Sequence, residues 1–173
     1  MKRVLRTFYK RIQAAAIMGA IFTLILVPNS LMGTQTGLPA DLFVDVAPAN
    51  AVAVGDARKA AQEGKPIVIT GRVGGVAKPI ADKYAMFLIS DPRLPLCKDA
   101  CADLCHIPRP QLIANLATVQ VVDNAGRPLK VSVQGINGLK PLAEVIIRGT
   151  VAKVDRDVMI INAQNIFVNR FGN

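Results

Sequence analysis

Residues 145–168 read VIIRGTVAKVDRDVMIINAQNIFV, which is two apolar runs separated by a short polar segment. Val and Ile dominate both runs, and side chains branched at Cβ are restricted in a helix but pack well on a pleated strand. Asp155, Arg156 and Asp157 lie between the runs and are typical of a tight turn. We therefore predict two strands, Val145–Val154 and Val158–Val168, joined by this turn.

Further apolar runs of the same kind lie upstream. They predict four more strands, Ile67–Val76, Tyr84–Ser90, Thr118–Asp123 and Leu129–Gln134. The DNAG segment from Asp123 to Gly126 predicts a hairpin turn, because Asn and Gly tolerate positive φ. Asp56 is predicted to cap a short helix, Ala57–Glu63, which Gly64 would end. The fold class is therefore predicted to be mainly β.

An internal repeat favours a closed barrel. The segments 69–76 (ITGRVGGV) and 147–154 (IRGTVAKV) share the form I-x-G-x-V-x-x-V. A glycine inside an otherwise branched strand marks a bulge or a sharp bend, as a small barrel needs where a strand turns a corner. Chance similarity within a Val-rich sheet is the alternative explanation. We interpret the repeat as two bent strands of a small five-stranded barrel.

The order of these segments resembles that of an OB-fold, with a glycine-bent first strand, a meander, a short helical element and the ending VIIRGTV…MIINAQNIFV. The combination RVGG…MFLISDPRLPLC…ATVQVVDNAGRPLKVSVQG…LKPL is also similar to a group of uncharacterised exported bacterial proteins with a cysteine-containing insertion. The resemblance covers roughly Ile67 to Val168. It implies an OB-like β-barrel with a Cys-containing insertion, but it implies no particular function, because OB-folds host many functions.

The amino terminus has the layout of a targeting segment. The chain carries a net charge of +9, and five cations before residue 12 account for +5 of it, so the remaining 16 basic and 12 acidic residues leave +4. An uncharged run, Ile12–Val27, follows these cations. This pattern predicts an N-terminal hydrophobic helix that acts as a cleaved signal or as a retained signal-anchor in the membrane, and a buried helix of a soluble protein is the alternative.

The predicted organisation has three parts. Residues 1–32 form the signal or signal-anchor segment, residues 33–55 form a spacer rich in Ala, Pro and Gly, and residues 56–173 form the OB-like β-barrel domain. Because cations stay on the cytoplasmic side, the domain is expected on the extracytoplasmic side of the cell membrane or in exported form.

All three cysteines and the single histidine lie within ten residues, as Cys97, Cys101, Cys105 and His106. In an oxidising compartment two of the cysteines would form a disulfide. The same four residues are alternatively a Cys₃His set for Zn²⁺, the one cofactor that the sequence suggests. On a regular helix the cysteines would span about 12 Å, so a metal site would require the segment to curl. Covalent haem through CADLCH, free thiols and a redox-active pair are further alternatives.

A nucleic-acid site would combine aromatic side chains with cations. The candidates are Tyr84, Arg72, Lys83 and Lys130. Tyr84 and Phe87 have odd spacing, so we expect one of them in the core. Scattered solvated cations are the favoured interpretation, and the expected outward location makes nucleic acid an unlikely partner.

The sequence contains no G-x-S-x-G segment, and its lone histidine lies among the cysteines. We therefore predict a non-enzymatic binding or scaffold domain, with the membrane and an extracytoplasmic protein or small ligand as partners. Metal binding or redox chemistry at the cysteines, and single-stranded nucleic-acid binding, are the alternatives.

Overall fold

Strands dominate the secondary structure in a computed structural model, which describes residues 37–96 and 101–169. The elements in chain order are β1 Val52–Ala53, α1 Val54–Ala60, β2 Pro66–Val73, β3 Met86–Ser90, α2 Arg109–Ala114, β4 Leu116–Gln120, a 3₁₀ turn at Ile136–Gly138, β5 Glu144–Val154 and β6 Met159–Asn169. The prediction of a mainly β fold is confirmed.

The strands close into a five-stranded mixed barrel. β2 is antiparallel to both β3 and β5, β3 is antiparallel to β4, and β5 is antiparallel to β6. β4 and β6 pair in parallel and complete the ring, while β1 adds a short parallel pairing beside β2. This closed mixed barrel is compatible with the predicted OB-like fold.

The two copies of the internal repeat lie side by side. Ile69 of β2 is directly opposite Ile147 of β5, and both side chains are fully buried. The register of β5 against β6 shifts between Arg148 and Gly149, as expected for a glycine at a bulge. A Cβ at Gly149 would clash with the carbonyl oxygen of Asn162. The bend predicted at this glycine is therefore confirmed, and it allows β6 to approach closely.

The barrel interior is filled by branched aliphatic side chains. Its largest fully buried members include Phe87, Ile89, Ile161 and Ile166. They come from β3 and β6, where buried residues alternate with partly exposed ones because successive side chains point to opposite faces. The low aromatic content is thus compatible with a closed core made mainly from Ile, Val and Leu.

Residues 37–55, which were predicted to be part of a spacer, lie against the barrel. Leu42 is fully buried, and its carbonyl accepts a hydrogen bond of 2.7 Å from the backbone nitrogen of Ile166. The nitrogen of Val44 donates to the Ile166 carbonyl at 3.0 Å. This segment therefore covers the part of β6 that extends beyond β4.

The predicted strand Leu129–Gln134 is not among the strands of the described residues. The turn before it forms as expected, since the nitrogen of Gly126 donates to the Asp123 carbonyl at 2.9 Å. Leu129 then bonds to Val121, but the chain turns away at Gly135, where φ is +80°. The predicted hairpin turn is therefore confirmed, whereas the prediction of a second strand after it is wrong.

Helix α1 begins three residues before the predicted Ala57. Its N-cap is Ala53, which has no side chain able to cap, and Asp56 lies inside the first turn. Gly64 does adopt positive φ, at +78°, but it lies in the turn after the helix.

Among the described residues, no helix combines the length and the apolar character required to cross a bilayer. The predicted N-terminal hydrophobic helix and the signal or signal-anchor segment, residues 1–32, lie outside the described residues.

Candidate functional site

The cysteine insertion, defined as residues 91–115, leaves the barrel after β3 and returns through α2 into β4. Arg72 of β2 holds its first part: the guanidinium donates to the carbonyl oxygens of Pro92 at 3.1 Å and Leu94 at 3.4 Å. It also lies 3.8 Å from the carboxylate of Glu144. Arg72 was a candidate for nucleic-acid contact, and its described partners belong to the protein itself.

Two glycines that follow β2 contact the middle of the insertion. The nitrogen of Gly75 donates to the Ala102 carbonyl at 2.6 Å, and Gly75 has a φ of +103°. A Cβ added at Gly74 would lie 2.9 Å from the same carbonyl oxygen, which is closer than real contacts of this kind. The insertion therefore approaches the backbone after β2 closely, and a side chain at Gly74 would prevent this approach.

The insertion also has a small apolar cluster of its own. Leu94, Leu104 and Ile107 are buried together, and Leu112 of α2 packs against them. Leu104 has positive φ, +49°, an unfavourable conformation for a branched side chain, and it is only 1% exposed. Burial of its side chain compensates for this backbone strain.

The first residue of the insertion, Asp91, is a buried carboxylate that is 1% exposed. It accepts hydrogen bonds from the backbone nitrogen of Gly55 at 2.8 Å and from the Arg93 side chain at 2.8 Å. The Arg93 guanidinium, followed by the backbone amides of Arg93 and Gly55, lowers the pKa of Asp91 to about 2, although burial opposes the shift. Asp91 thus provides the capping carboxylate at the start of α1, which the side chain of Ala53 cannot provide.

Three possible metal ligands meet in the insertion. The sulfur atoms of Cys101 and Cys105 and a carboxylate oxygen of Asp103 all lie within 4.8 Å of one another. The backbone nitrogen of Cys105 donates to Asp103 Oδ1 at 3.3 Å, which orients the carboxylate. This Cys-Asp-Cys group has the donor spacing to hold a metal ion when both sulfurs are thiolates.

The group differs from the predicted set of four ligands. Cys101 and Cys105 come together because the segment curls, as a metal site requires. His106 is exposed and does not belong to the group, while Cys97 lies outside the described residues. Asp103 was not predicted as a possible ligand, although its place midway between two cysteines was a visible signal.

The two described cysteines are in different chemical states. Cys105 is free and exposed, whereas the sulfur of Cys101 is disulfide-bonded. The third cysteine of the sequence, Cys97, is outside the described residues, so the predicted pairing stays a prediction. A disulfide sulfur is not a thiolate, so metal binding at Cys101 requires its reduction.

A second candidate surface is the outer side of β3, β4 and β6, called here the β3–β4–β6 face. It consists of two cross-strand rows of partly exposed residues, Met86–Gln120–Asn162 and Leu88–Thr118–Ile160. The Gln120 amide nitrogen donates to Asn162 Oδ1 at 2.8 Å. The face therefore presents a hydrogen-bonded amide pair among apolar side chains.

Tyr84 precedes this face and is 43% exposed, whereas Phe87 is 1% exposed. The expectation that one of the two is in the core is confirmed. Lys83 and Lys130 are both exposed. Lys130 lies near Tyr84 because its neighbour Leu129 accepts a hydrogen bond of 2.9 Å from the nitrogen of Ala85.

Arg72 does not join these three predicted residues. It is opposite Ser90, and about 13 Å of strand separates Ser90 from Met86 beside Tyr84. The structure thus brings Tyr84, Lys83 and Lys130 to one end of β3 and places Arg72 at the other.

A cleft of about 230 Å³ lies between α1 and the start of β2, and Val52, Ala57, Ala61, Pro66 and Val151 are among its lining residues. None of the predicted site residues lines it. It is mainly apolar, and no residue of the Cys-Asp-Cys group or of the β3–β4–β6 face lines it.

The comparisons with known proteins give no family assignment. No protein-family model matches this chain, and no curated protein shows significant similarity to it.

Proposed function

We propose that this chain is a non-enzymatic binding domain of the OB type, exported or tethered to a membrane, that binds its ligand on the β3–β4–β6 face. The observation that carries the proposal is the Gln120–Asn162 amide pair on the outer side of a closed five-stranded mixed barrel. Amides on a partly exposed strand surface retain hydrogen-bonding groups that a ligand can use.

The chemistry of the face suits an elongated ligand with both polar and apolar parts. Each carboxamide has two donors and an acceptor, and the single bond between Gln120 and Asn162 uses only some of them. Leu88 and Ile160 flank Thr118 in the neighbouring row and supply apolar contact. Tyr84, with its exposed ring, extends the surface at one end.

Fragment binding followed by two-dimensional NMR tests this proposal. The probes are a neutral hexasaccharide, a tripeptide amide and a single-stranded dT12 oligonucleotide. Shift changes centred on Leu88, Thr118 and Ile160 that disappear in Q120A would support it. Q134A, which changes an exposed glutamine outside the face, is the matched control. Probes that perturb only the cleft between α1 and β2 would contradict it.

The oligonucleotide arm also tests the nucleic-acid alternative. Contacts from Lys83 and Lys130 to phosphates would make its affinity fall steeply as salt concentration rises. A salt-independent interaction, or none at low salt, would remove this alternative.

The location of the domain is a separate part of the proposal. Its support is the block of cations before the uncharged run Ile12–Val27. Protease treatment of intact cells should digest the domain if it is outside the cytoplasm. Protection under conditions that digest an outward-facing control protein would contradict this location.

A further inference from the structure

We propose that the cysteine insertion becomes a binding site for a thiophilic divalent metal, with Zn²⁺ as the best fit, once the disulfide at Cys101 is reduced. The ligands are Cys101, Asp103 and Cys105. This inference is independent of the β3–β4–β6 face and of any ligand bound there.

The donor set matches the chemistry of Zn²⁺. Two thiolates and one carboxylate are common zinc ligands, with bonds of about 2.0–2.3 Å. Their donor atoms already lie within 4.8 Å of one another, so a small inward movement brings them to bonding distance. A fourth position is left for water, because Cys105 is exposed and the group opens to solvent.

The backbone holds the ligands by anchoring the residues between them. Ala102 is fixed by the 2.6 Å bond from the Gly75 nitrogen, and Leu104 is buried in the apolar cluster of the insertion. Residues 101, 103 and 105 alternate with these anchors. The positive φ of Leu104 turns the chain between Asp103 and Cys105, so that donors two residues apart converge.

The orientation of Asp103 adds a further constraint. Its Oδ1 accepts from the Cys105 nitrogen at 3.3 Å, which leaves Oδ2 available to a metal. Oriented ligands of this kind bind metals more tightly, because less freedom is lost when the ion enters.

Reduction is the step that creates the site. A dithiol reductant attacks the disulfide at Cys101 through one thiolate and forms a mixed disulfide. Its second thiol then displaces the protein sulfur, so that two protein thiols are released and the reductant becomes a disulfide. Two electrons pass from the dithiol to the protein. Zn²⁺ then replaces the thiol protons of Cys101 and Cys105, while Asp103 binds as a carboxylate.

Titration of the full chain with Co²⁺, followed by Zn²⁺ competition, tests the proposal. A phosphine reduces the chain, which is then desalted without oxygen. One Co²⁺ per chain should bind with a thiolate-to-cobalt absorption band, and Zn²⁺ should displace it. The oxidised chain should give no such band.

Four variants test the ligand assignment, with far-UV circular dichroism as a folding check. D103N should weaken Co²⁺ binding by at least about tenfold, whereas H106A and the distant carboxylate variant D157N should bind as the wild type does. Reduced C97S retains the three proposed ligands and should bind one ion. The proposal is overturned if the reduced chain binds no ion, if H106A loses binding while D103N keeps it, or if reduced C97S binds none.

Discussion

The buried carboxylate of Asp91 lies 2.8 Å from the backbone nitrogen of Gly55, although the two residues are 36 positions apart. Through this bond the first residue of the cysteine insertion stabilises the amino end of α1. The same carboxylate also accepts hydrogen bonds from the Arg93 side chain and backbone. The first residues of the insertion are therefore fixed to one another and, through Gly55, to α1. A helix start without a capping side chain is thus completed by a distant residue.

Replacing Asp91 by Asn should lower the free energy of unfolding by about 2–3 kcal/mol, because hydrogen bonds to a buried charged acceptor are lost. The amide would also direct N–H groups toward the Gly55 and Arg93 donors. Urea unfolding followed by circular dichroism measures the change. D56N removes the exposed partner of Arg93 and should have little effect. Equal urea midpoints for D91N and the wild type would contradict the structural role of Asp91.

The stability should also depend on pH through the same carboxylate. Its pKa is lowered from 3.8 to about 2, chiefly by the Arg93 side chain. A carboxyl whose pKa is lower in the folded state contributes stability that is complete above its unfolded pKa and is lost as the pH falls through its folded pKa. Wild-type stability should therefore decrease between about pH 4 and pH 2.

D91N is the control for this pH dependence. Asp56, Asp123 and Asp155 also have lowered pKa values, but they are present in both proteins. The difference between the two urea midpoints should therefore shrink as the pH falls toward 2. A constant difference over that interval would show that Asp91 does not titrate as inferred.

Replacing Gly74 by Ala should displace the cysteine insertion from the barrel. The new Cβ would lie 2.9 Å from the backbone oxygen of Ala102, and relief of such a contact typically costs about 1–3 kcal/mol. Hydrogen exchange of the Gly75 amide should accelerate, because its bond to Ala102 weakens. A Cβ added at Gly37 would meet no described atom within 4 Å, so G37A is the matched control. Unchanged Gly75 exchange in G74A would refute the close contact.

Replacing Arg72 by Ala should loosen the start of the insertion without affecting the β3–β4–β6 face. Two hydrogen bonds to Pro92 and Leu94 are lost, with an expected decrease in stability of about 1–2 kcal/mol. R148A removes an exposed arginine from β5 and should be close to neutral. Limited proteolysis of the insertion compares the two variants. If R72A and R148A behave alike, Arg72 does not hold the insertion.

The order of the strands in the chain was largely predictable. β5 and β6 follow the apolar runs Val145–Val154 and Val158–Val168 to within one residue at each end. The intervening turn forms as expected, since Asp155 Oδ1 accepts from the nitrogens of Asp157 and Val158 at 2.9 and 2.8 Å. These features depend on residues close together in the chain, so they can be predicted from the sequence.

The segment Leu129–Gln134 has the local pattern of a strand but does not form one. Val131 and Val133 alternate with polar residues as a strand would, but a strand also requires a partner along its length. Leu129 bonds to Val121 and Ala85, and the Ser132 hydroxyl then donates to the Ala81 carbonyl instead of continuing a ladder.

For the Cys-Asp-Cys group, the sequence by itself determined that the cysteines cluster, that the segment must curl to bring them together, and that Val- and Ile-rich strands precede and follow them in the chain. Only the tertiary structure placed Asp103, rather than His106, beside Cys101 and Cys105. The physical reason is that the backbone at Leu104 turns left-handed to bury a side chain, while a barrel glycine binds Ala102. Composition and periodicity describe the preferences of each residue. The convergence of the donor atoms depends instead on the tertiary contacts that hold Ala102 and Leu104, the residues between the donors.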